Sequence, residues 1–270
     1  MEKLIITIAP TGNVPTREMT PYVPIVPIEI AKDICECYEA GAAVAHIHAR
    51  NVAGAPSAQY DDFAKIVRES NLMACPIIKQ LSTGARGAKT PEERSAVLEL
   101  APFSASLATG SSNFPNSANL NDPILVKHLA TKMLEKNIFP EIEVFDTAMI
   151  ANAESLVKKG FLKAPLHFNL VLGVKGSLPA TARNLFFLIE SLPKNSTWGV
   201  SVVGAQHVAL SAIAIALGGH VRVGIEDNIY YSKGVLGKNV NMVERMVVIA
   251  KSMGREIAKP DDVPRIWNME

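Results

Sequence analysis

The sequence predicts a (β/α)8 TIM barrel. Short β-branched runs recur along the 270 residues, and each is followed by a longer segment whose apolar residues have helical spacing. Eight such units fit the roughly 250 residues that a barrel of this kind needs. A doubly wound open sheet is the alternative, but it normally carries a glycine-rich phosphate fingerprint after its first strand, and residues 9–13 do not match that fingerprint.

The N-terminal half of the chain holds the first four units. The predicted strands are 4–9, 43–49, 76–82 and 104–109, and the helices after them begin near residues 27, 61, 90 and 122. Thr90, Pro91 and Glu92 supply an N-cap, a proline at the first helical position and an early acid. The third helix therefore has a clear start signal.

The C-terminal half repeats the pattern four times. The predicted strands are 140–146, 166–171, 197–203 and 220–225, and each leads into a helical segment. In a barrel, the chemistry belongs to the C-terminal ends of the strands and the loops beyond them. Five of the segments at that end carry the residues considered below: 9–20, 46–54, 80–89, 106–119 and 222–234.

The composition favours one globular domain over residues 1–270. Hydrophobic residues make up 48% and charged residues 20%, which allows a sizeable core and argues against disorder. The net charge of +1 gives no electrostatic reason to bind nucleic acid or an anionic membrane, so neither is expected as a partner. No apolar run reaches the roughly 18 residues of a membrane span. Three cysteines without CxxC spacing favour the cytoplasm.

His46 and His48 are the strongest local signal in the sequence. At positions i and i+2 of a strand, both side chains face the same side, here the barrel axis. Two neighbouring imidazoles form half of a metal site. Two histidines satisfied separately by hydrogen bonds are the alternative, but the polar residues that follow place the pair near the barrel mouth.

The eighth strand offers a third ligand, Glu226. On a continued strand, Arg222, Gly224 and Glu226 share one face, and the apolar residues between them face the helices. An unpaired charge inside a barrel costs several kcal/mol, so the two charged residues need a reason to be there. One interpretation is an Arg222–Glu226 salt bridge that closes the mouth. The other is that Glu226 completes a His₂-carboxylate metal site with open positions for substrate oxygens.

Further polar residues follow the strands. Asp227, beside a metal and an arginine, suits a general base, although an exposed loop acid or a helix cap is its ordinary role. Ser82, Thr83 and Gly84 follow the third strand, and their hydroxyl and N–H groups suit a carboxylate or phosphate, although such clusters are usually plain turns. Ser106, on the fourth strand, is unremarkable by itself.

Taken together, these segments resemble the β-keto acid cleavage enzyme family, and the similarity covers the whole chain. It rests on APTG at 9–12 with Pro15 and Thr16, HIH at 46–48, QLSTG at 80–84, PEIEV at 140–144, Leu172 with Gly173, and GGHVRVGIEDN at 218–228. The last block is the most specific. The resemblance implies a TIM barrel, a zinc ion, and a homotetramer. It also implies a reaction of a β-keto acid with acetyl-CoA that yields acetoacetate and a new acyl-CoA.

The resemblance also implies residue roles. His46, His48 and Glu226 would be the zinc ligands, which agrees with the facing argument. Asp227 would be the base, with Arg222 as its partner. Two hydroxyls, Ser82 and Ser106, would hold the substrate carboxylate; a threonine can stand at the second position in the family, so the hydroxyl is kept.

Val14 bears on the substrate. Family members that accept an amino-bearing substrate are expected to place an acidic residue in this loop to meet the ammonium group. Here the position is apolar and its neighbour, Asn13, is neutral. We therefore expect a substrate tail that is neutral or hydrophobic.

Three other functions stay open at the level of the sequence. An amidohydrolase usually carries HxH on its first strand, whereas here the motif falls on the second. A metal-dependent carbon–carbon lyase or aldolase that needs no CoA would use the same ligands. A barrel that binds a small acid without catalysis is a third possibility, but the retained charges of Arg222, Glu226 and Asp227 count against it.

Overall fold

The computed structural model describes residues 1–84, 90–114 and 117–268. The predicted mouth segments 80–89 and 106–119 therefore lie partly outside the described residues, at 85–89 and 115–116. Within the described part, eight parallel strands close into a barrel in which each strand pairs with its neighbours in chain order and the eighth pairs with the first. The predicted fold class is confirmed. The strands are β1 Ile6–Ile8, β2 Val44–Ile47, β3 Ile78–Leu81, β4 Ser104–Ala108, β5 Phe139–Val144, β6 His167–Leu172, β7 Thr197–Val202 and β8 His220–Val223.

Helices follow the strands and cover the outside of the barrel. They are α1 Pro27–Ala40, α2 Tyr60–Leu72, α3 Pro91–Ser95 (continued by a 3₁₀ segment, Ala96–Leu100), α4 Pro123–Glu135, α5 Thr147–Lys158, α6 Ala182–Glu190, α7 His207–Ala216, α8 Asn239–Ser252 and the short α9 Val263–Ile266. Among the helices that the structure describes, every one is too short or too polar to cross a bilayer.

Several helices begin at side-chain caps, one of which, Thr90, the sequence indicates. The Thr90 hydroxyl accepts a hydrogen bond from the backbone N–H of Glu93 at 3.2 Å, and the Glu93 carboxylate accepts one from the N–H of Thr90. Asp122 accepts hydrogen bonds from the first N–H groups of α4 in the same way. These contacts satisfy backbone donors that have no partner inside the helix, so the loops at the barrel mouth end at defined residues.

The end of β8 differs from the prediction. The strand stops at Val223, because the next residue, Gly224, has a backbone φ of +145°, which residues with a side chain rarely adopt. A Cβ at this position would lie 2.1 Å from the carbonyl oxygen of Ala9. Glu226 therefore lies in a turn, and the expected alternation of faces from Arg222 to Glu226 along one strand is wrong. The turn nevertheless returns Glu226 to the barrel axis, as described below.

The far end of the barrel is closed by the C-terminal segment. The indole of Trp267 is almost fully buried and stacks on the rings of His167 and Phe139, with centroid distances of 4.7 and 5.2 Å. Arg255 is buried at the same end and donates to the carbonyl oxygens of Ile215, Gly218 and Gly219. This closure leaves the C-terminal ends of the strands as the open face of the barrel.

Candidate metal and catalytic site

Two histidines at the end of β2 lie side by side in the barrel interior. His46 is 1% exposed and His48 is 6% exposed, and their ring centroids are 5.1 Å apart. Nδ1 of His46 lies 2.7 Å from Oε1 of Gln80, which faces His46 in the register of β2 and β3. An amide oxygen only accepts, so this contact assigns the proton to Nδ1. The lone pair of Nε2 is therefore left for a ligand.

Glu226, from the C-terminal part of the chain, lies against both histidines. Its Oε1 lies 3.4 Å from Nε2 of His48 and 3.8 Å from Nε2 of His46. Gly12, in the loop after β1, makes this approach possible, because a Cβ there would lie 2.5 Å from Cγ of Glu226. Residues far apart in sequence, at the ends of β1, β2 and β8, thus converge on one point.

Arg222 gathers three carboxylates beside the histidines. Its Nε and Nη2 donate to the two carboxylate oxygens of Asp227, both at 3.0 Å, in a two-bond pair. Nη2 also donates to Oε1 of Glu226 at 2.6 Å, and Nη1 donates to Oε1 of Glu143 at 3.4 Å. The Arg222–Glu226 salt bridge that the sequence suggested is therefore present, as one contact of a larger network.

Burial and this network set the protonation states. Burial alone would raise the pKa of Glu226, but the charge of Arg222, helped by the neighbouring histidines, outweighs it and holds that pKa well below its usual range. Burial lowers the pKa of His46 to about 4, and the Arg222 charge acts in the same direction. Neutral imidazole and ionised carboxylate are the forms that bind a cation.

The two remaining acids have raised pKa values. Burial raises the pKa of Asp227, and the negative charge of Glu226 adds to this, although Arg222 opposes it. Burial also raises the pKa of Glu143 to about 7. Three carboxylates share one guanidinium, so the cluster has an excess of negative charge that a divalent cation would balance.

The donor atoms fit a metal ion. One nitrogen from each of His46 and His48 and one oxygen from Glu226 all lie within 4.8 Å of one another. The second carboxylate oxygen of Glu226, Oε2, is buried and has no hydrogen-bond partner, which is costly unless a ligand satisfies it. Two imidazoles and a carboxylate are a donor set of catalytic zinc sites. His46, Glu141 and Glu143 form a second group of similar spacing, so the His46 side of the site is acidic as well.

The predicted substrate residues lie beside this cluster. Ser82 and Thr83 are buried just after β3, and Ser106 is fully buried on β4. The Thr83 hydroxyl donates to the carbonyl oxygen of Ser106 at 2.7 Å, and the Ser82 hydroxyl accepts from the N–H of Gly84 at 3.1 Å. The Ser106 hydroxyl is buried with no hydrogen-bond partner. Of these hydroxyls, the one on Ser106 most clearly needs a ligand or a water molecule, and that on Thr83 is already engaged by the backbone.

Val14 lies on the rim of the site. It is 44% exposed, and its neighbour Asn13 donates through Nδ2 to the carbonyl oxygen of Gly84 at 3.3 Å. Arg50 holds the same loop from below, with hydrogen bonds to the carbonyl oxygens of Gly12 and Pro15. The loop after β1 thus adjoins the Ser82–Gly84 segment, which puts an apolar side chain at the mouth.

Comparison with known proteins decides the family. The family model described as beta-keto acid cleavage enzyme matches residues 3–269. The chain belongs to the β-keto acid cleavage enzyme family. The resemblance read from the sequence motifs is confirmed, and the protein is an enzyme of this family.

The relatives of this β-keto acid cleavage enzyme match it end to end. The chain is 43% identical to the 3-keto-5-aminohexanoate cleavage enzyme of Fusobacterium nucleatum, covering 100% of this chain and 99% of the relative. It is 36% identical to the 3-oxoadipate:acetyl-CoA acetyltransferase of Cupriavidus necator, covering 94% of this chain and 90% of the relative. The family members named here thus act on different β-keto acids.

A solved structure agrees on the fold of the enzyme. The apo structure of ObcA superimposes with a TM-score of 0.77 over 92% of this chain and 66% of that longer chain, at 22% identity. At this identity the likeness bears on the barrel fold alone.

Two residues of the network had no role assigned from the sequence. Gln80 stood in a family motif, and only the strand register shows that it faces His46. Glu143 also stood in a family motif, and the structure places it against Arg222. The alternation of faces along β5 places Glu143 on the same face as Glu141, which indicates a buried position. The alternation does not predict its contact with Arg222 on β8.

Proposed function

We propose that this enzyme transfers an acyl group between a β-keto acid and acetyl-CoA, giving acetoacetate and a new acyl-CoA. The observation that carries the proposal is the joining of a two-histidine, one-carboxylate cluster to a buried Arg222–Asp227 pair at the barrel mouth. The names of the relatives support the same reaction class, because one of them is a 3-oxoadipate:acetyl-CoA acetyltransferase.

His46, His48 and Glu226 would hold a divalent ion, which we propose to be zinc. The orphan Oε2 of Glu226 and the Nε2 lone pair of His46 support this, and the choice of zinc rests on the donor set and on the family resemblance. When bound, the ion would polarise the substrate ketone oxygen as a Lewis acid.

Asp227 would be the general base. The reaction needs a proton removed from the carbon between the ketone and the carboxylate, and the buried carboxylate of Asp227 lies beside the proposed ion site, since Arg222 contacts both it and Glu226. Arg222 would hold both Asp227 oxygens in place and steady the negative charge that develops on the substrate.

Every bond that forms in the proposed reaction is matched by one that breaks. The deprotonated carbon attacks the thioester carbonyl of acetyl-CoA, and the released CoA thiolate adds to the original ketone carbon. The bond between that carbon and the deprotonated carbon then breaks, which leaves the new thioester and acetoacetate. Asp227 returns the proton to the acetoacetate carbon, so the enzyme ends in its starting state.

Ser82 and Ser106 would bind the substrate carboxylate, with the backbone N–H groups of the Thr83–Gly84 segment beside them. The buried Ser106 hydroxyl without a partner supports this role. Because Ser82 accepts from the N–H of Gly84, its own proton is available to donate to an oxygen of the substrate.

Val14 would face the substrate tail, which we propose to be neutral or apolar. The side chain at this rim position carries no charge, and Asn13 beside it is bonded to Gly84. A cationic tail would meet no carboxylate from Val14 or Asn13. The test is a comparison of kcat/KM for 3-ketohexanoate and 3-keto-5-aminohexanoate, and a higher value for the amino-bearing compound would contradict the proposal.

The deciding experiment follows acetoacetate release. The zinc-loaded protein is incubated with a panel of β-keto acids, with and without acetyl-CoA, and an Asp227→Asn variant serves as the matched control. Acetoacetate that forms only with acetyl-CoA and only in the wild type supports the proposal. Turnover without acetyl-CoA would favour a CoA-independent lyase. Binding of the acids without any turnover would favour a non-catalytic barrel.

We further propose a single domain over residues 1–270, a homo-oligomeric assembly, a tetramer by family resemblance, and a cytoplasmic location. The three cysteines are free thiols, which supports a reducing compartment.

Phe186 and Phe187 on α6 are 44% and 53% exposed, which supports a contact between subunits. Light scattering on the purified protein tests the assembly.

A further inference from the structure

Asn239, the first residue of α8, is fully buried although it is polar. Its Oδ1 accepts a hydrogen bond from the backbone N–H of Ile225 at 2.8 Å, and its Nδ2 donates to the carbonyl oxygen of Pro10 at 3.1 Å. One side chain therefore bridges the turn after β8 and the loop after β1. Neither contact belongs to the hydrogen bonds of a strand or a helix, so the sequence pattern of the barrel does not require them.

The two hydrogen-bond partners of Asn239, Ile225 and Pro10, both lie next to the backbone of Glu226 or to the residue that bonds it. Ile225 precedes Glu226, and Pro10 follows Ala9, whose carbonyl oxygen accepts from the N–H of Glu226 at 3.2 Å. Asn239 thus fixes the residue before Glu226 on one side and the residue after Ala9 on the other.

The turn has hydrogen bonds of its own, from the N–H groups of Asp227 and Asn228 to the carbonyl oxygen of Gly224, and the contacts of Asn239 add to them at a flexible point. Gly224 has φ +145° and lies against Ala9, with no side chain of its own to hold it. A turn that starts at such a glycine has much conformational freedom unless its neighbours are bonded. With Ile225 bonded to Asn239, the carboxylate of Glu226 is directed past Gly12 toward His46 and His48.

We propose that Asn239 is a positioning residue that holds Glu226 in the geometry needed to share a metal ion with His46 and His48. The inference rests on the proposed function and deepens it, since it names a residue outside the ligand set on which ion affinity depends. Asn239 does not touch the substrate and acts through the backbone of Ile225 and Pro10. Groups that orient a ligand in this way typically change metal affinity about 10- to 100-fold when they are removed.

A purely structural role has a different signature. Met246, on the same helix, is 1% exposed and packs in the hydrophobic core without bonding to the turn. Met246→Ala should therefore lower the melting temperature while leaving the Ile225 and Pro10 contacts intact. It is the matched control for a general loosening of α8.

The test measures the Zn²⁺ dissociation constant by competition with a chromophoric chelator, at one pH, for four proteins: the wild type, Asn239→Ala, Asn239→Asp and Met246→Ala. We expect a rise of about 10- to 100-fold for Asn239→Ala. Asn239→Asp keeps an acceptor for the N–H of Ile225 but loses the donor toward Pro10 and toward the buried Asp33, which then faces a second acid, so its constant should also rise above that of the wild type. Met246→Ala should bind as tightly as the wild type despite a lower melting temperature. If Asn239→Ala does not fold, Asn239→Asp carries the comparison.

Either of two results would overturn the inference: unchanged affinity in the Asn239 variants, or an equal loss in Met246→Ala. A wild type that binds no Zn²⁺ would overturn it together with the proposed metal site. A wild type that binds Zn²⁺ but releases no acetoacetate would overturn the proposed reaction alone, because the ranking of zinc affinities would still decide the role of Asn239.

Discussion

Arg222 is the cation that three acids of the site share. It contacts Asp227, Glu226 and Glu143, and the sum of these contacts raises its own pKa although burial alone would lower it. The guanidinium remains ionised throughout, so Asp227 can stay a carboxylate in a buried place. Burial and the charge of Glu226 raise the pKa of Asp227 against this attraction, which leaves a carboxylate that is ionised yet basic.

Asp227→Asn should remove this base and one of the two hydrogen bonds from Arg222. The amide keeps the size of the side chain and cannot accept a proton, so we expect acetoacetate formation to fall by about 10²- to 10⁴-fold, with Zn²⁺ bound as in the wild type. Steady-state kinetics and metal analysis check both parts. Asp261→Asn, an exposed change near the far end of the barrel, is the control. Wild-type activity in Asp227→Asn would show that another group takes the proton.

Gln80→Leu tests the orientation of His46. The amide oxygen of Gln80 holds the proton on Nδ1 of His46, and its Nε2 donates to Ser104 at 3.3 Å, so both ends of the amide are fixed. Without that acceptor the imidazole can rotate or change tautomer, and we expect the Zn²⁺ dissociation constant to rise about 10- to 100-fold. The exposed Gln59→Leu is the matched control. Equal affinities for the two variants would exclude this role of Gln80.

At the scale of elements, the site is built by strand ends and the turns that follow them. The end of β2 supplies the histidines, the turn after β8 supplies Glu226 and Asp227, and the loop after β1 supplies a glycine against which Glu226 packs. Each strand is short, and the barrel register brings its end to the same face as the others. Small residues decide how closely two loops approach, so a single methyl group can displace a ligand.

Gly12→Ala should displace Glu226. The new Cβ would lie 2.5 Å from Cγ of Glu226, and φ at this position is +61°. The left-handed backbone costs about 1–2 kcal/mol for any residue with a Cβ, and the contact should also reduce the zinc content of the purified protein. Gly160→Ala separates the two effects, because Gly160 has φ +77° and nothing within 4 Å of a Cβ. It should lose stability and keep its zinc, whereas equal zinc contents in the two variants would contradict the contact argument.

At the scale of the whole molecule, the barrel has a chemical end and a structural end. The open end carries the histidines and acids, and the closed end is filled by the Trp267 stack and by buried histidines. His220 belongs to the closed end, where its Nδ1 accepts a hydrogen bond from the backbone N–H of Ile5 at 3.1 Å. An imidazole that accepts at Nδ1 must be neutral there, so the closure of β8 onto β1 is sensitive to acid.

This arrangement predicts acid destabilisation of the fold. Burial holds the pKa of His220 well below its usual 6.5, with the charges of His167 and Arg255 acting in the same direction. The unfolded chain therefore binds a proton that the folded chain does not, and the free energy of unfolding falls as the pH drops below about 6.5, by about 1.4 kcal/mol per pH unit for one proton. Urea unfolding of metal-free protein between about pH 7.5 and pH 5 measures this slope. His220→Gln should show a shallower slope, and an identical slope would rule out His220 as its source.

The sequence by itself determined the fold class and most of the elements. Eight strands with the predicted order close the barrel, and α3 and α4 begin at the caps formed by Thr90 and Asp122. The family was also predicted from local motifs, among them those at 46–48 and 218–228, and the match to the family model confirms it. The periodicity of apolar residues, helix capping and motif spacing are short-range properties of the chain. They can therefore be predicted without coordinates.

Only the tertiary structure decided how the residues of the site meet. The turn at Gly224 places Glu226 off the strand, and no periodicity predicts a φ of +145° that is set by contact with Ala9. The contacts of Gln80 with His46 and of Asn239 with the ends of β1 and β8 join residues that are far apart in the chain. Such contacts depend on strand register and on the closure of β8 against β1, which are properties of the whole barrel. The candidate ligands and catalytic residues could thus be predicted from the sequence. The residues that position them could be identified only from the contacts in the folded barrel.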